Sequence, residues 1–407
     1  MKQNLKFTLR GENFSTMWEK QILLLPGPTQ IPPRVMRAMS REQINHRGPV
    51  ARKILFEIIE GIKEIMRTEN DILIFTSSGT GGMEAAVANI MSPGDKALVV
   101  SNGAFGDRFK KLCQAFNIEM DVIDYPWGEV VDPQNIEDHL KNDHGHKIKA
   151  VFVQHNETST GVLNDMEAIS KARGEHPALL VVDAISSLAA AELQVDKWGL
   201  DVVISGSQKA FMIPPGLSVV SISPRAWEAV KRCTNSRFYF DFTLAGEYLE
   251  LGQTPFTPAL SLLYGLQESL KMMRDEGLEN ILKRHSQYRN IVRAAVNALG
   301  LEMLAREEIS SPAVTAVKAP EGMNAGDIIN GMLEDYNVVI AGGQGNLRGK
   351  IFRIGHLGYM DPLELVAGIS ALESVLSSLG QPVDMGKGVT AAMKIIKGGK
   401  SCESIDN

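Results

Sequence analysis

Ser205-Gly206-Ser207-Gln208-Lys209-Ala210-Phe211 follows the apolar run Val202-Val203-Ile204, whose composition is typical of a buried β-strand. A second strand-like run, Leu179-Leu180-Val181-Val182, ends at Asp183. A lysine just past one strand and a carboxylate at the end of another meet the needs of pyridoxal phosphate (PLP). The lysine forms the Schiff base with this cofactor, and the acid pairs with its pyridinium nitrogen. The pattern predicts Lys209 and Asp183 as catalytic residues.

Short β-branched runs alternate with helical patterns from about residue 71 to residue 223. The runs predict strands at 72–75, 97–100, 118–123, 150–153, 179–182, 202–204 and 219–222. Between them, helical periodicity occurs at 83–91, 105–116 and 166–173. This alternation indicates an α/β fold with a mainly parallel sheet covered by helices on both faces. Ligands bind such sheets at the carboxyl ends of the strands, where Asp183 and Lys209 lie.

The last third of the chain changes character. Long helical patterns at 261–276 and 281–299 precede strand-like and helical runs that together predict a smaller C-terminal α+β domain. The tail beyond Gly380 is rich in Gly and Lys, has no strong pattern, and is expected to be peripheral. The predicted organisation is an N-terminal arm, a large PLP-binding domain, a small domain and a C-terminal tail, at residues 1–20, 21–265, 266–384 and 385–407.

Composition limits the classes of partner. The 407 residues include 42 Lys and Arg against 48 Asp and Glu, so the net charge of -6 gives no general attraction to nucleic acid or to an anionic membrane. The three cysteines, Cys113, Cys233 and Cys402, lack the spacing of a disulfide framework or a zinc site. Residues 1–20 lack the apolar core of a secretory signal, and no apolar stretch is long enough to span a bilayer. We therefore expect a cytoplasmic protein without a metal, nucleic-acid or membrane partner.

A glycine-rich turn lies between the first predicted strand and the helix after it, at Ser77-Ser78-Gly79-Thr80-Gly81-Gly82. Glycines let the backbone approach a ligand closely, and the N-terminus of a helix attracts phosphate. The turn has no Gly-Lys-Ser/Thr and is not a P-loop, and its glycine order is not the dinucleotide fingerprint. It fits a cofactor with a single phosphate, although a plain strand-to-helix turn is the alternative.

Four segments together resemble the class V aminotransferases, specifically the alanine–glyoxylate, serine–glyoxylate and serine–pyruvate group. In chain order they are Leu25-Pro26-Gly27-Pro28-Thr29 with Pro32-Pro33-Arg34-Val35-Met36, His155-Asn156-Glu157-Thr158-Ser159-Thr160-Gly161-Val162, Ser205-Gly206-Ser207-Gln208-Lys209-Ala210 with Pro214-Pro215-Gly216, and Phe352-Arg353-Ile354-Gly355-His356-Leu357-Gly358. The resemblance runs from about residue 23 to residue 379. It implies a PLP enzyme of fold-type I, usually a homodimer with active sites at the subunit interface.

The resemblance also implies roles around the cofactor. Lys209 is the Schiff-base lysine and Asp183 the partner of the ring nitrogen. The phosphate is held by Ser78, Gly79, Thr80 and Gln208. Thr158 bonds near the ring hydroxyl, Phe105 stacks on the ring, and Thr257 reaches the phosphate of the neighbouring subunit. Two of these have alternatives: Phe105 as a core residue at a helix start, and Thr257 as a helix N-cap before Pro258.

Substrate-binding residues follow from the same resemblance. Arg353 binds the substrate carboxylate, a task suited to a guanidinium fork, with the Gly27 backbone close by. A surface arginine on a strand is the alternative. His46 lies at the mouth of the site or is a structural loop residue, and His155 packs near a strand end.

The implied activity is transfer of an amino group from alanine or serine to glyoxylate or pyruvate, by a ping-pong mechanism. Alternatives are a ureidoglycine or aminophosphonate transaminase, a cysteine desulfurase or lyase, and a non-catalytic homologue. A desulfurase needs a cysteine on a mobile loop, and none of the three cysteines lies in a recognisable catalytic segment.

Overall fold

The computed structural model describes residues 20–400, and the side chains of residues 20–398. Most of the predicted N-terminal arm and Cys402 therefore lie outside the described residues. The strands are β1 Ile22–Leu23, β2 Asp71–Phe75, β3 Lys96–Ser101, β4 Glu119–Asp124, β5 Ile148–Gln154, β6 Asn156–Glu157, β7 Val162–Leu163, β8 Leu179–Asp183, β9 Val202–Gly206, β10 Ser218–Ile222, β11 Val314–Lys318, β12 Val338–Val339, β13 Ala341–Gly342 and β14 Ile351–Gly355.

The helices lie between these strands and in the carboxyl-terminal part of the described chain. They are α1 Pro33–Met39, α2 Pro49–Met66, α3 Gly79–Ile90, α4 Gly106–Ala115, α5 Pro133–Asn142, α6 Met166–Arg173, α7 Pro224–Arg232, α8 Phe242–Glu250, α9 Leu260–Glu276, α10 Leu278–Ala298, α11 Ala325–Tyr336, α12 Pro362–Ser378 and α13 Lys387–Lys400. Short 3₁₀ turns occur at Glu307–Ile309 and Gly345–Leu347.

The central feature is a seven-stranded sheet with the order β2-β10-β9-β8-β5-β3-β4. Strands β9, β8, β5, β3 and β4 pair in parallel, and β10 runs antiparallel to both of its neighbours. The fold is therefore α/β with a mainly parallel sheet, as the sequence predicted. The parallel strands end together at one edge, which carries both Asp183 and the segment after Gly206.

Apolar side chains of the sheet point alternately into two cores. On β9, Val203 packs on one face, while Val202 and Ile204 pack on the other. Helices α2, α5, α6 and α9 contribute buried residues to the first core, and α3, α4, α7 and α8 to the second. Both faces of the sheet are thus covered, which explains why the inner strands β8 and β9 are buried along their whole length, whereas the edge strand β4 is partly exposed.

A smaller antiparallel sheet, β11-β14-β13, has a third core of its own with buried residues from α10, α11, α12 and α13. The N-terminal β1 pairs in parallel with β12, and Leu24 is part of this core. Gly355 N donates to Leu24 O at 2.7 Å. A Cβ at Gly355 would overlap the Leu25 backbone, so only glycine permits this approach.

The segment after Gly380 differs from its sequence expectation, because it contains α13. Ala392 and Ile396 of this helix are buried in the third core. Three glycines lower its intrinsic helix propensity, so the helix gains its stability from packing on α10 and α12. Within the described residues, no helix is both long and apolar enough to cross a membrane.

Candidate active site

Lys209 lies just beyond the carboxyl end of β9, partly buried. Its Nζ donates a hydrogen bond to Pro26 O. Burial, together with the nearby positive charge of Arg353, lowers the pKa of this amine from 10.5 to about 8, although the negative charge of Asp183 opposes the shift. A substantial fraction of Lys209 is therefore uncharged at mildly alkaline pH, as a nucleophilic amine must be.

Asp183 is the last residue of β8, beside β9 in the sheet, and is 4% exposed. Its Oδ1 accepts a hydrogen bond from Ile185 N at 2.8 Å, which satisfies a local turn and caps no helix. Burial raises the pKa of this carboxyl to about 6, against the opposing effects of that hydrogen bond and of the Arg108 and Lys209 charges. Asp183 is thus a buried acid poised to pair with a cation.

The glycine-rich turn forms the start of α3, with Ser78 at the N-cap. The Ser78 side chain makes no capping hydrogen bond, whereas Ser223 Oγ at the start of α7 accepts one from Ala226 N. No hydrogen bond within the described residues engages the backbone N–H of Gly79 or Thr80. The first turn of α3 therefore presents free N–H donors and the positive end of the helix dipole.

Gln208 lies next to this turn. A Cβ built on Gly206 would stand 3.1 Å from Gln208 Oε1 and 3.5 Å from the Gly79 backbone, which places the amide and the helix start side by side. Gln208 Oε1 and His155 Nδ1 are buried atoms without a hydrogen-bond partner in the described part of the chain. His155 N donates to Asp183 O at 2.9 Å, so the histidine packs at the strand end. Unpartnered buried polar atoms of this kind mark a ligand position.

Phe105 is the N-cap residue of α4 and is partly exposed, so it is a helix-start residue outside the core clusters. The guanidinium carbon of Arg108 lies 4.6 Å from the Phe105 ring centroid. Arg108 Nη1 also donates to Thr80 Oγ1 at 3.1 Å. The aromatic ring, this cation and the start of α3 therefore form one continuous wall.

Arg353 is on β14 and is 5% exposed, so it is not a surface arginine. Its Nη1 donates to Thr158 O at 2.9 Å and its Nε to Gly342 O at 3.0 Å. Burial lowers the pKa of the guanidinium to about 10, with Glu157 opposing the shift. Thr158 Oγ1 bonds Ser186 Oγ at 2.6 Å. The fork is held by two carbonyls, and Nη2 has no hydrogen-bond partner among the described residues.

Gly27 lies against the Lys209 side chain with a φ of +111°. A Cβ at this position would stand 2.6 Å from Lys209 Cδ and 2.8 Å from Cε. Nearby, Thr29 Oγ1 donates to Lys209 O at 3.0 Å. The segment around Gly27 therefore fixes both the backbone and the side chain of the lysine.

Two predicted site residues are not in contact with this group. His46 is partly buried in a loop whose Arg47 donates to Gln253 Oε1 and Pro255 O at 2.6 and 3.2 Å. Thr257 is exposed in the segment after Pro255. Its alternative role as N-cap is wrong, because α9 begins at Leu260 with Ala259 in the cap position. Arg47 thus joins the loop of His46 to the segment of Thr257.

Sequence reasoning missed two residues. Arg108 follows Phe105 by three positions, the spacing of neighbours on one helix face, and this spacing is the signal that could have identified it. Glu157 is buried and accepts hydrogen bonds from the backbone N–H of Phe105 and Gly106 at 3.0 and 3.2 Å. Burial raises its pKa to about 6. A glutamate inside a short polar run gives no sequence sign that it bonds a segment some fifty residues earlier.

The described cysteines and acids form no other centre. Cys113 is buried, and burial raises the pKa of its thiol to about 12. Cys233 donates to the carbonyls of Ala88 and Met91. Within residues 20–398, no three His, Cys, Asp or Glu side chains are arranged to hold a metal ion.

Comparison with known proteins gives a consistent family. The profile of the family described as "Aminotransferase class-V" matches residues 22–349. The chain is 44% identical to "Soluble hydrogenase, small subunit" of Synechococcus sp. (strain PCC 6716), over 93% of this chain and 99% of that protein. It is 41% identical to "L-aspartate--glyoxylate aminotransferase" of Paracoccus denitrificans (strain Pd 1222), over 93% of this chain and 96% of the relative.

A solved structure agrees. The ureidoglycine-glyoxylate aminotransferase of Bacillus subtilis superposes with a TM-score of 0.88 at 28% identity, over 93% of this chain and 98% of that one. The predicted fold-type I architecture is thereby confirmed. The match of sequence and fold means that this chain belongs to the class V aminotransferases, a family of PLP-dependent enzymes.

Proposed function

We propose that this protein transfers an amino group from a small L-amino acid, alanine or serine, to a small 2-oxo acid, glyoxylate or pyruvate. The observation that carries the proposal is the pairing of Lys209 and Asp183 at adjacent strand ends. Burial lowers the pKa of the lysine to about 8 and raises that of the acid to about 6. Perturbation of both groups at one edge of the sheet is typical of an active site.

The residues at the sheet edge fit PLP. The free N–H groups of Gly79 and Thr80, with Ser78 and the NH₂ group of the Gln208 amide, would hold its phosphate. Phe105 would stack on the ring, and Thr158 would bond near the ring hydroxyl. Asp183 would accept a proton shared with the ring nitrogen, which relieves the cost of burying its charge.

When bound, PLP supplies an aldehyde that condenses with amines and a cationic ring that delocalises the electron pair left at the substrate Cα. Lys209 would provide the amine that anchors the cofactor. With the amino donor bound, Lys209 Nζ would remove the Cα proton and return a proton as general base and acid. The keto acid formed from the amino donor would leave before the acceptor keto acid binds, so the proposed kinetics are ping-pong.

Arg353 would bind the substrate carboxylate. Its Nε and Nη1 are fixed by Gly342 O and Thr158 O, and Nη2 remains to donate. Because the guanidinium is buried and pre-oriented, a charged hydrogen bond here is stronger than one at a solvated surface. The Gly27 backbone lies beside Lys209 and lines the same space.

We also propose a cytoplasmic homodimer. The exposed rings of Phe238 and Tyr239 lie against the half-buried ring of Phe256, which directly precedes Thr257. Phe238 is 75% exposed, which is unusual for a large apolar side chain on a monomer. A partner covering this surface would bring Thr257, and His46 from the adjoining loop, to the edge of a second site. The free thiols of Cys113 and Cys233 support a reducing compartment.

The proposed domain division, at residues 21–265 and 266–384 with flanking segments 1–20 and 385–407, rests on separate cores. The small antiparallel sheet shares its core with α10 to α13, while α9 packs in the first core of the large sheet. The proposed boundary at 265/266 falls inside α9, whose Leu266, Leu270 and Met273 still pack in the first core, shortly before the α9–α10 connection at Gly277.

A half-reaction screen tests the proposed activity. The purified protein is expected to be yellow, and alanine or serine should bleach the visible band of the bound cofactor; aspartate and an amine without a carboxylate are compared with them. A protein that binds PLP but responds to no amino donor would contradict the proposal and favour a non-catalytic homologue. Lys209→Ala should abolish the borohydride-trapped adduct, and an adduct on another lysine would refute the assignment.

Rival activities within the family predict different outcomes. A cysteine desulfurase would release sulfide from cysteine, yet the thiol of Cys113 is buried and that of Cys233 is bonded to two carbonyls. Ureidoglycine or aminophosphonate donors would bleach the cofactor band where alanine and serine do not. The same screen therefore separates these activities.

A further inference from the structure

Glu157 is a fully buried carboxylate beside the proposed cofactor site. Its Oε2 accepts hydrogen bonds from Phe105 N at 3.0 Å and from Gly106 N at 3.2 Å. Its Oε1 accepts from Ser159 N at 3.0 Å and from Ser159 Oγ at 2.5 Å. Four donors thus converge on two oxygens, which only a carboxylate can accept in full.

On one side, these bonds fix the turn that carries Phe105. Ser159 Oγ also accepts from Ala104 N at 3.0 Å, so three consecutive N–H groups of this turn are bonded to the Glu157–Ser159 segment. A Cβ at Gly103 would stand 2.6 Å from Ser159 Oγ and would overlap the Glu157 side chain. The glycine therefore allows the two segments to meet, and the carboxylate sets the position of the aromatic ring.

On the other side, the same segment fixes Arg353. Thr158 lies between Glu157 and Ser159, and its carbonyl accepts the hydrogen bond from Arg353 Nη1. The negative charge of Glu157 also raises the pKa of the buried guanidinium, against the effect of burial. One three-residue run therefore contacts both the ring-stacking residue and the carboxylate-binding residue of the proposed site.

We propose that Glu157 is a positioning residue that holds the aromatic wall at Phe105 and the substrate-binding Arg353 in one fixed relative geometry. This inference rests on the proposed function, because it takes Phe105 as the ring-stacking residue and Arg353 as the carboxylate-binding residue. Glu157 acts through Phe105, Ser159 and Thr158 rather than by touching the substrate.

The variant Glu157→Gln tests the proposal with little change of volume. An amide has a single acceptor oxygen, so its NH₂ must face either the Phe105 and Gly106 donors or the Ser159 donors. One half of the arrangement is released in either case. A matched control exists in Glu373, which is 1% exposed and accepts from Gly386 N and Gly388 N at 2.7 Å in the third core.

The experiment compares wild type, Glu157→Gln and Glu373→Gln by four measurements. These are the melting temperature of the apoprotein, the dissociation constant of PLP from titration of the apoprotein, the visible circular dichroism of bound PLP, and the kcat and KM for alanine. Both variants should melt at a lower temperature. Glu157→Gln alone should weaken PLP binding at least tenfold, alter the visible circular dichroism and raise KM more than it lowers kcat.

Equal PLP affinity, dichroism and KM in the two variants would overturn the positioning role and leave Glu157 as a structural residue. If Glu157→Gln fails to fold, Ser159→Ala removes the hydroxyl that bonds both Glu157 and Ala104 and should show the same pattern in weaker form. The wild-type protein separates the proposed aminotransferase activity from the proposed role of Glu157. If wild type binds PLP and reacts with alanine, the activity stands even when the Glu157 prediction fails.

Discussion

Gly27 and Lys209 are packed so closely that the space of a single methyl group at Gly27 is occupied by the lysine side chain. A Cβ would stand 2.6 Å from Lys209 Cδ, and the φ of +111° at Gly27 is itself unfavourable for other residues. The orientation of the Lys209 amine therefore depends on a glycine that is distant in sequence, since most strands of the large sheet lie between residues 27 and 209. This relationship makes the orientation of Lys209 testable without changing the lysine.

Gly27→Ala should lower the yield of the borohydride-trapped PLP adduct on Lys209 at least tenfold, because the new methyl displaces the lysine. Mass spectrometry of the reduced protein measures the yield. Gly380→Ala is the control, since Gly380 has a φ of +87° but no atom within 4 Å of its Cβ position. A similar loss in both variants would mean that backbone strain, and not contact with Lys209, is responsible.

Asp183→Asn should stabilise the apoprotein at pH 8. The folded-state pKa of about 6 exceeds the ordinary 3.8, so the folded state binds this proton more tightly than the unfolded state and loses stability as pH rises from 4 to 6. Asparagine removes that cost, which is on the order of 1–3 kcal/mol, while its Oδ1 still accepts from Ile185 N.

Thermal unfolding of the apoprotein between pH 4.5 and pH 8 measures this effect, and the gain should shrink toward the acid end. Asp165→Asn, at the exposed N-cap of α6, is the control for a general loss of negative charge. With PLP added, the order should reverse, because the variant loses the partner of the ring nitrogen. An apoprotein that is less stable at pH 8 than wild type would contradict the buried-charge argument.

Arg353→Lys should raise KM for alanine by about 10- to 100-fold, from the ~1.5–3 kcal/mol of a charged hydrogen bond. An ammonium group cannot bond Gly342 O and Thr158 O while also presenting a fixed donor to the substrate. Steady-state kinetics measure the change. Arg293→Lys is the control, because Arg293 is also buried but donates to Ala305 O, outside the proposed site. Reaction with ethylamine, which has no carboxylate, should be unchanged.

The candidate site was predictable to the extent that local pattern determines it. The strand-end rule identified Lys209 and Asp183, because apolar runs of β-branched residues reveal where parallel strands end. Glu157 and Arg108 could not be found in this way, since their roles depend on segments that meet only in the folded chain. The helix α13 was missed for a related reason, because its stability comes from tertiary packing on α10 more than from local helix propensity.

Phe238→Glu should convert the proposed dimer into a monomer. A charge at the exposed Phe238, whose ring centroid lies 5.5 Å from that of the half-buried Phe256, opposes burial against a second copy. Size-exclusion chromatography with light scattering measures the mass. The control is Tyr336→Glu, which should leave the mass unchanged. Tyr336 is the last residue of α11 and is 44% exposed. A wild-type protein with the mass of one chain would exclude the dimer outright.

Mixed dimers should show whether Thr257 serves the partner's site. Lys209→Ala is expected to be inactive and Thr257→Ala to bind PLP poorly. In a mixed dimer, one site combines an intact Lys209 from one chain with an intact Thr257 from the other. Coexpression should then restore about a quarter of wild-type activity, because an isologous interface exchanges the two roles. Activity no greater than the average of the separate variants would place Thr257 outside the partner's site.

The pairing of β1 with β12 sets the order in which the enzyme is completed during synthesis. Ile22 leaves the ribosome long before its partner Val338 and the strand that carries Arg353. Until then, the Gly27 segment has no β12 or β14 to hold it against Lys209. A nascent chain can therefore form the large sheet and expose its lysine, but the proposed cofactor site is complete only after β12 and β14 have emerged.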